Sequence, residues 1–376
     1  MASPSPLSTL ETVVSNAIAL ISQLEATITT ISSQNNNPPP SPSPSPSPID
    51  ALSLAHDSAT LIRAHSTKIS LLIINEPFTP TAIAKVIKDL IAGPLPALAT
   101  SAQLCAPERY TKTIQTELAW RKGRVLKELR ALLAQIPKDG KVLSGEKKTA
   151  SSSGKGSIAT TAVLWSACDD VAGFAKRGFA GNLVHKAEEW RDTVRDVMEE
   201  LKEWGEEEDD DESDDDDDEV DGITNGVNKA DLNATQNTAQ DLVDEWMSSE
   251  RHIPRDDPDK IRPRLEVGLR RIRLTTLLYQ ATVKRRLKTL AKQPPNPETG
   301  IAARLDEVMA LLKKVPDGLG NLAEAFYQLD AAEIDRLLEQ SFCDAVAVSE
   351  LLAKGWEGQE DEFTEWAGKF RVEIKK

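Results

Sequence analysis

Cysteine and histidine are scarce in this chain of 376 residues, which has three of the first (Cys105, Cys168, Cys343) and four of the second (His56, His65, His185, His252). Three thiols, odd in number and far apart, describe neither a disulfide framework nor a zinc site, and they fit a reducing, intracellular compartment. No His-Glu-x-x-His sequence and no Cys or His spacing suited to a metal occurs. Gly154-Lys155 is followed by Gly156 where a phosphate loop needs Ser or Thr. Cys168 and His185 make a poor thiol and base, because Asp169 and Asp170 beside the thiol oppose its ionisation. The pairs Glu188-Glu189 and Glu199-Glu200 read as solvated helix faces. These absences exclude the common catalytic designs: no catalytic residue, metal or cofactor is expected, and the chain reads as non-enzymatic.

No signal peptide is expected either, since MASPSPLSTLE has no basic start and carries Glu11 where such a peptide is apolar. No apolar run is expected to approach the roughly 20 residues of a spanning helix, so no membrane partner is expected. Strand-like alternation is absent throughout. The chain also lacks excess positive charge. Its net charge is −15, and thirteen carboxylates lie in the fourteen residues from Glu206 to Glu219, broken only by Ser213. Residues 1–205 carry +2 and residues 220–376 carry −4. Two nearly neutral pieces disfavour a nucleic-acid partner, which needs a cationic surface. A run of like charge this dense repels itself and buries nothing, so it reads as a disordered linker.

What is present is helical periodicity. Leu7, Leu10, Val14, Ala17, Ile21, Leu24, Ile28 and Ile31 alternate spacings of three and four, a coiled-coil-like seam. The stretch PPPSPSPSPSP at 38–48 ends it, because consecutive prolines lack N–H donors and hold the preceding residues extended. Helices are then predicted over about 49–75, 79–105 (interrupted at Pro94 and Pro96), 107–136, 157–176 and 179–204. The fifth carries Phe179, Leu183, Ala187, Trp190, Val194, Val197, Leu201 and Trp204 on one face. After the acidic run, helices are predicted at about 238–248, 258–292, 298–315, 319–328, 330–356 and 359–373. The domain reading is therefore an N-terminal helical bundle at 1–205, with a disordered Ser-Pro insert at 38–48 and a Lys/Ser/Gly loop at 138–156, an acidic linker at 206–237, and a C-terminal helical bundle at 238–376. All seven tryptophans fall on predicted helices and read as inter-helix packing.

One helix is more than core. Projected at 100° per residue, Ile261, Leu265, Leu269, Ile272, Thr276, Tyr279, Val283, Leu287 and Leu290 fall in one stripe. Arg270, Arg271, Arg273, Lys284, Arg285, Arg286 and Lys288 fall outside it, towards a local charge of +8. They are the candidate interaction residues, with the acidic run as one candidate ligand, held by weak, salt-screened pairs. Leu274, Leu277 and Leu278 in mid-length suggest burial on two sides. Ser213, in E-S-D-D-D, is a candidate for an acid-directed kinase. Ser41, Ser43, Ser45 and Ser47, each before proline, are candidates for proline-directed kinases or for domains that read Pro-rich segments.

The segment AVLWSACDDV, the amphipathic EEWRDTVRDVMEELKEW, the acidic run, and then DLVDEWMSSE leading into the basic helix together resemble the cyclin-D-binding protein family, also described as Grap- and cyclin-D-interacting proteins. The resemblance implies an all-α fold of two antiparallel helical bundles like those of talin, vinculin and α-catenin. It implies a cyclin-like or helix-loop-helix-type protein partner, a cytoplasmic and nuclear location, and negative regulation of cell-cycle progression. The residues leave two alternatives open: a talin- or vinculin-like actin binder, and an acidic-run binder of basic proteins such as histones.

Overall fold

The computed structural model describes residues 5–33, 49–143, 156–206 and 252–376, and the fold is all-α. The described residues fall into two compact units, one of Met1–His185 with Leu287–Glu307, the other of Lys186–Arg286 with Val308–Lys376. The acidic run beyond Glu206, the Ser-Pro insert, the helix expected at 238–248, and most of the Lys/Ser/Gly loop lie outside the described residues.

The first unit begins with α1 (Pro6–Ser33), followed by α2 (Ala51–Ile74), α3 (Pro80–Ala92), α4 (Pro94–Leu104), a single turn α5 (Pro107–Tyr110) and α6 (Lys112–Ala134). Proline opens α3, α4 and α5 at the position where its missing N–H costs nothing. α1 packs on α3 and α6, and α2 packs on α3 and α4. Of the seam read in the sequence, Leu10, Ala17, Ile21 and Ile28 are at most 3% exposed, while Leu7, Val14, Leu24 and Ile31 are half-buried at its edges. Contrary to expectation, α1 is long and apolar enough over Pro6–Ile31 to cross a membrane, by length and composition alone. Its charged residues are Glu11 and Glu25 alone, and Ala, Thr and Ser fill most of the positions between its aliphatic ones.

The helix expected over 107–136 is broken at Thr111, which has φ 71°. The break is stabilised from far along the chain. Both carboxylate oxygens of Asp306 accept from the Lys112 amide at 2.7 and 2.8 Å, capping the N-terminus of α6. Next comes α7 (Ser157–Glu206), which is two helices meeting at Gly178, with φ 73° and ψ −177°. That junction falls where the sequence places it, because a left-handed φ is the conformation for which glycine has no steric cost. Asn182 donates to the carbonyls of Phe174 and Gly178, each at 2.8 Å, and so fixes the bend.

The second unit contains α8 (Ile261–Arg285), α9 (Ile301–Tyr327, of which residues from 308 belong here), α10 (Ala331–Gln340), α11 (Cys343–Leu351) and α12 (Glu362–Glu373). α8 packs on α10, α11 and α12. The breaks expected near 316–318 do not occur, and α9 runs straight through Pro316. Proline lacks the N–H that would bond the Leu312 carbonyl; the buried Tyr279 hydroxyl donates to that carbonyl instead, at 2.5 Å. The helix expected over 330–356 divides into α10 and α11 around Ser341 and Phe342. Trp204, packed edge-on to Tyr327 at 5.4 Å and near Phe326 at 6.3 Å, joins this core. Trp356 stands in a turn after α11 and not on a helix.

Candidate interaction site

The seven basic residues proposed on and after α8 separate into two kinds. Arg286 is a core residue and must be withdrawn as a surface charge: it is 2% exposed. Its guanidinium forks onto Asp361 at 2.7 and 2.9 Å, donates to the Leu352 and Ala353 carbonyls at 2.8 and 3.2 Å, and lies 4.4 Å over the Phe363 ring. The Arg286 hydrogen bonds hold the Asp361 carboxyl down, to a pKa of about 2. Arg271 is half-buried and donates to the Leu338 carbonyl at 2.8 Å. Arg285 pairs with Glu362 at 2.8 Å on the surface. Arg273, Lys284 and Lys288 are exposed and Arg270 is half-buried. Three of the seven, Arg271, Arg285 and Arg286, are thus spent on holding α8 to α10 and to the start of α12. Leu278 is fully buried on the basic side as expected, whereas Leu277 is 42% exposed. Ser213, Ser41, Ser43, Ser45 and Ser47 lie outside the described residues.

A second surface, which the sequence reading did not single out, lies in the first unit. An open groove of about 640 Å³ runs along the first half of α7, lined by Arg63 of α2 and by Trp165, Asp169 and Arg177 among others. Its α2 side is built by Arg63, whose guanidinium lies 5.2 Å over the Trp165 ring and pairs with Asp169 at 3.0 Å. On the α6 side Arg124 pairs with Asp170 at 2.9 Å and stands 5.5 Å from the Trp120 ring. Trp120 itself is 59% exposed, so it is not the packing residue the sequence reading made it. Its position carried the signal: two residues beyond Leu118, it sits about 200° around the helix from the buried stripe.

Beneath this surface the core is apolar, with Cys168 buried and its thiol pushed up to about 12 by burial and by Asp169. That removes the thiolate reading of Cys168. Phe174, also buried, has Arg121 4.7 Å and Arg177 5.8 Å over its ring. The site is a set of aromatic rings and guanidiniums, groups suited to molecular contact.

The family model described as Grap2 and cyclin-D-interacting, N-terminal, matches residues 55–207. The matched span contains α3–α6, nearly all of α2, the whole of α7 and every residue of the groove. No curated protein matches the chain.

Proposed function

We propose, from the match of residues 55–207 to the family model described as Grap2 and cyclin-D-interacting, N-terminal, that the chain is a non-enzymatic helical adaptor that binds a D-type cyclin or a Grap2-type adaptor and restrains cell-cycle progression. The family match is the observation that carries this reading. The reading is supported by an exposed tryptophan, Trp120, beside Arg121 and Arg124 inside the matched span, residue types that dominate the energetics of protein interfaces. Action in cytoplasm and nucleus follows from the same reading. The test is direct: the full chain, purified and immobilised, should retain purified D-type cyclin or Grap2, and its overexpression should delay entry into DNA synthesis. Retention of neither protein, with cell-cycle timing unchanged, would remove the proposal.

A further inference from the structure

We infer that the basic stripe left free on α8 is the docking surface for the chain's own acidic run, residues 206–219. The inference stands apart from the identity of the partner protein.

With Arg271, Arg285 and Arg286 taken up inside the unit, the remaining cations of the candidate set within α8 share one face. At 100° per residue Arg270, Arg273 and Lys284 fall within about 60° of one another, with Leu277 among them. Arg273, Leu277 and Lys284 are exposed and Arg270 is half-buried. Among the described residues, Arg270, Arg273 and Lys284 make no hydrogen bond or ion pair. Glu266, exposed at the near end of the same face, is the only carboxylate that α8 itself contains.

The chain that leaves the described residues after Glu206 and returns at His252 does both at the head of this face. Arg262, on the same side of α8 and about two turns before Arg270, donates to the Gly205 carbonyl at 3.2 Å and to the Ile253 carbonyl at 3.4 Å. Gly205 lies so close to α8 that a Cβ there would collide with Leu265. The run therefore starts beside the first turns of α8. From Arg262 the distance along the helix is about 12 Å to Arg270 and about 33 Å to Lys284, and fourteen residues reach at most about 46 Å. The run is long enough to cover the whole stripe.

Charge and tethering select this occupant. Thirteen carboxylates in fourteen residues confront three cations without partners, so many alignments of the run satisfy the stripe. Each exposed pair is weak and screened by salt, but joining ligand to site raises its effective concentration to about millimolar. An external polyanion has to displace a ligand already attached, and it approaches a chain whose net charge is −15.

The experiment places a nitroxide in the middle of the run, on Ser213→Cys, in the full chain with the exposed Cys343 changed to Ser. At about 20 mM salt the label should broaden the amide resonances of Arg273, Leu277 and Lys284 at least twofold more than at about 0.5 M. Reversing the stripe with Arg270→Glu, Arg273→Glu and Lys284→Glu together should remove that salt-dependent broadening, circular dichroism verifying that the helices persist. A second variant leaves α8 untouched and should have the same effect: the Asp and Glu residues of the run changed to Asn and Gln. Broadening confined to Arg262 and Glu266 at low salt is what the tether alone produces, and it would overturn the inference. Broadening that reaches Lys284 equally in the charge-reversed or the neutralised chain would overturn it as well.

Discussion

Lys122 is the least expected side chain in the molecule. It lies on the apolar stripe of α6, four residues after Leu118 and three before Val125, so the periodicity itself points it inward. It is completely buried, and its ammonium nitrogen has no hydrogen-bond partner. Burial lowers its pKa from 10.5 to about 7, opposed by Cys105, whose own thiol burial pushes up to about 12. The sign of the resulting pH dependence follows from proton counting. Between about 7 and 10.5 the unfolded chain holds a proton that the folded chain does not, so stability rises with pH through that window, and below 7 the full penalty applies. Lys122→Met should therefore stabilise the protein by about 3–5 kcal/mol at pH 7 or below, and the advantage should shrink towards pH 10. Urea unfolding of both proteins at pH 6.5, 8 and 9.5 measures this; parallel pH profiles would refute it. Arg286 presents the opposite case, a buried charge with every donor used. Arg286→Met leaves Asp361 and two carbonyls without their donors and should cost about 3–5 kcal/mol, against under about 0.5 kcal/mol for Lys284→Met at the exposed end of α8. Lysine should rescue Arg286 poorly, because an ammonium cannot reproduce the fork. Equal denaturation midpoints for the Arg286 and Lys284 variants would show that the network contributes nothing.

Among the elements, what the sequence revealed depended on how far each cause lay along the chain. Gly178 divides α7 where a reader expects, because the cause is the residue itself. Thr111 and Pro316 mislead in opposite directions for one reason: the group that decides each is remote. Thr111 ends a helix because Asp306, nearly two hundred residues later, caps the next one. Pro316 fails to end a helix because Tyr279 serves the carbonyl that proline orphans. Arg286 was counted as surface for the same cause, since Asp361 and the carbonyls that bury it lie beyond any local pattern. The groove escaped notice because its parts come from α2 and α7, a hundred residues apart, and the exposed Trp120 beside it, off its stripe, was the local sign. The Tyr279 relation makes a quantitative prediction. Tyr279→Phe should destabilise by about 1–3 kcal/mol, the cost of a buried unsatisfied carbonyl. In a Pro316→Ala background the restored amide bonds Leu312, and the same substitution should cost markedly less. A double-mutant cycle in chemical denaturation supplies the coupling energy, and a value near zero would show that the hydroxyl and the proline are independent.

At the scale of the whole molecule, the acidic run dominates the net charge but not the partition of the fold. Residues 287–307 group with the first unit, and residues 186–205, which precede the run, group with the second. The boundaries of the compact units therefore cross the order of the chain. A fragment ending at residue 205 keeps α1–α6 but lacks Asp306, the carboxylate that caps the N-terminus of α6 at the Lys112 amide. The span matched to the family is still less self-sufficient. It omits α1, whose Leu10, Ala17, Ile21 and Ile28 cover the α3 and α6 faces of the core, and burial of the leucine and each isoleucine contributes about 1.5–3 kcal/mol. The expected ranking in thermal unfolding followed by circular dichroism is the full chain first, residues 1–205 lower, and residues 55–207 lowest, with no cooperative transition in the last. Adding a peptide of residues 287–307 should raise the midpoint of the 1–205 fragment, since it returns the Asp306 cap. If residues 1–205 unfold at the temperature of the full chain and ignore the peptide, then residues 287–307 are dispensable to the first unit, and its helices are held by the N-terminal sequence alone.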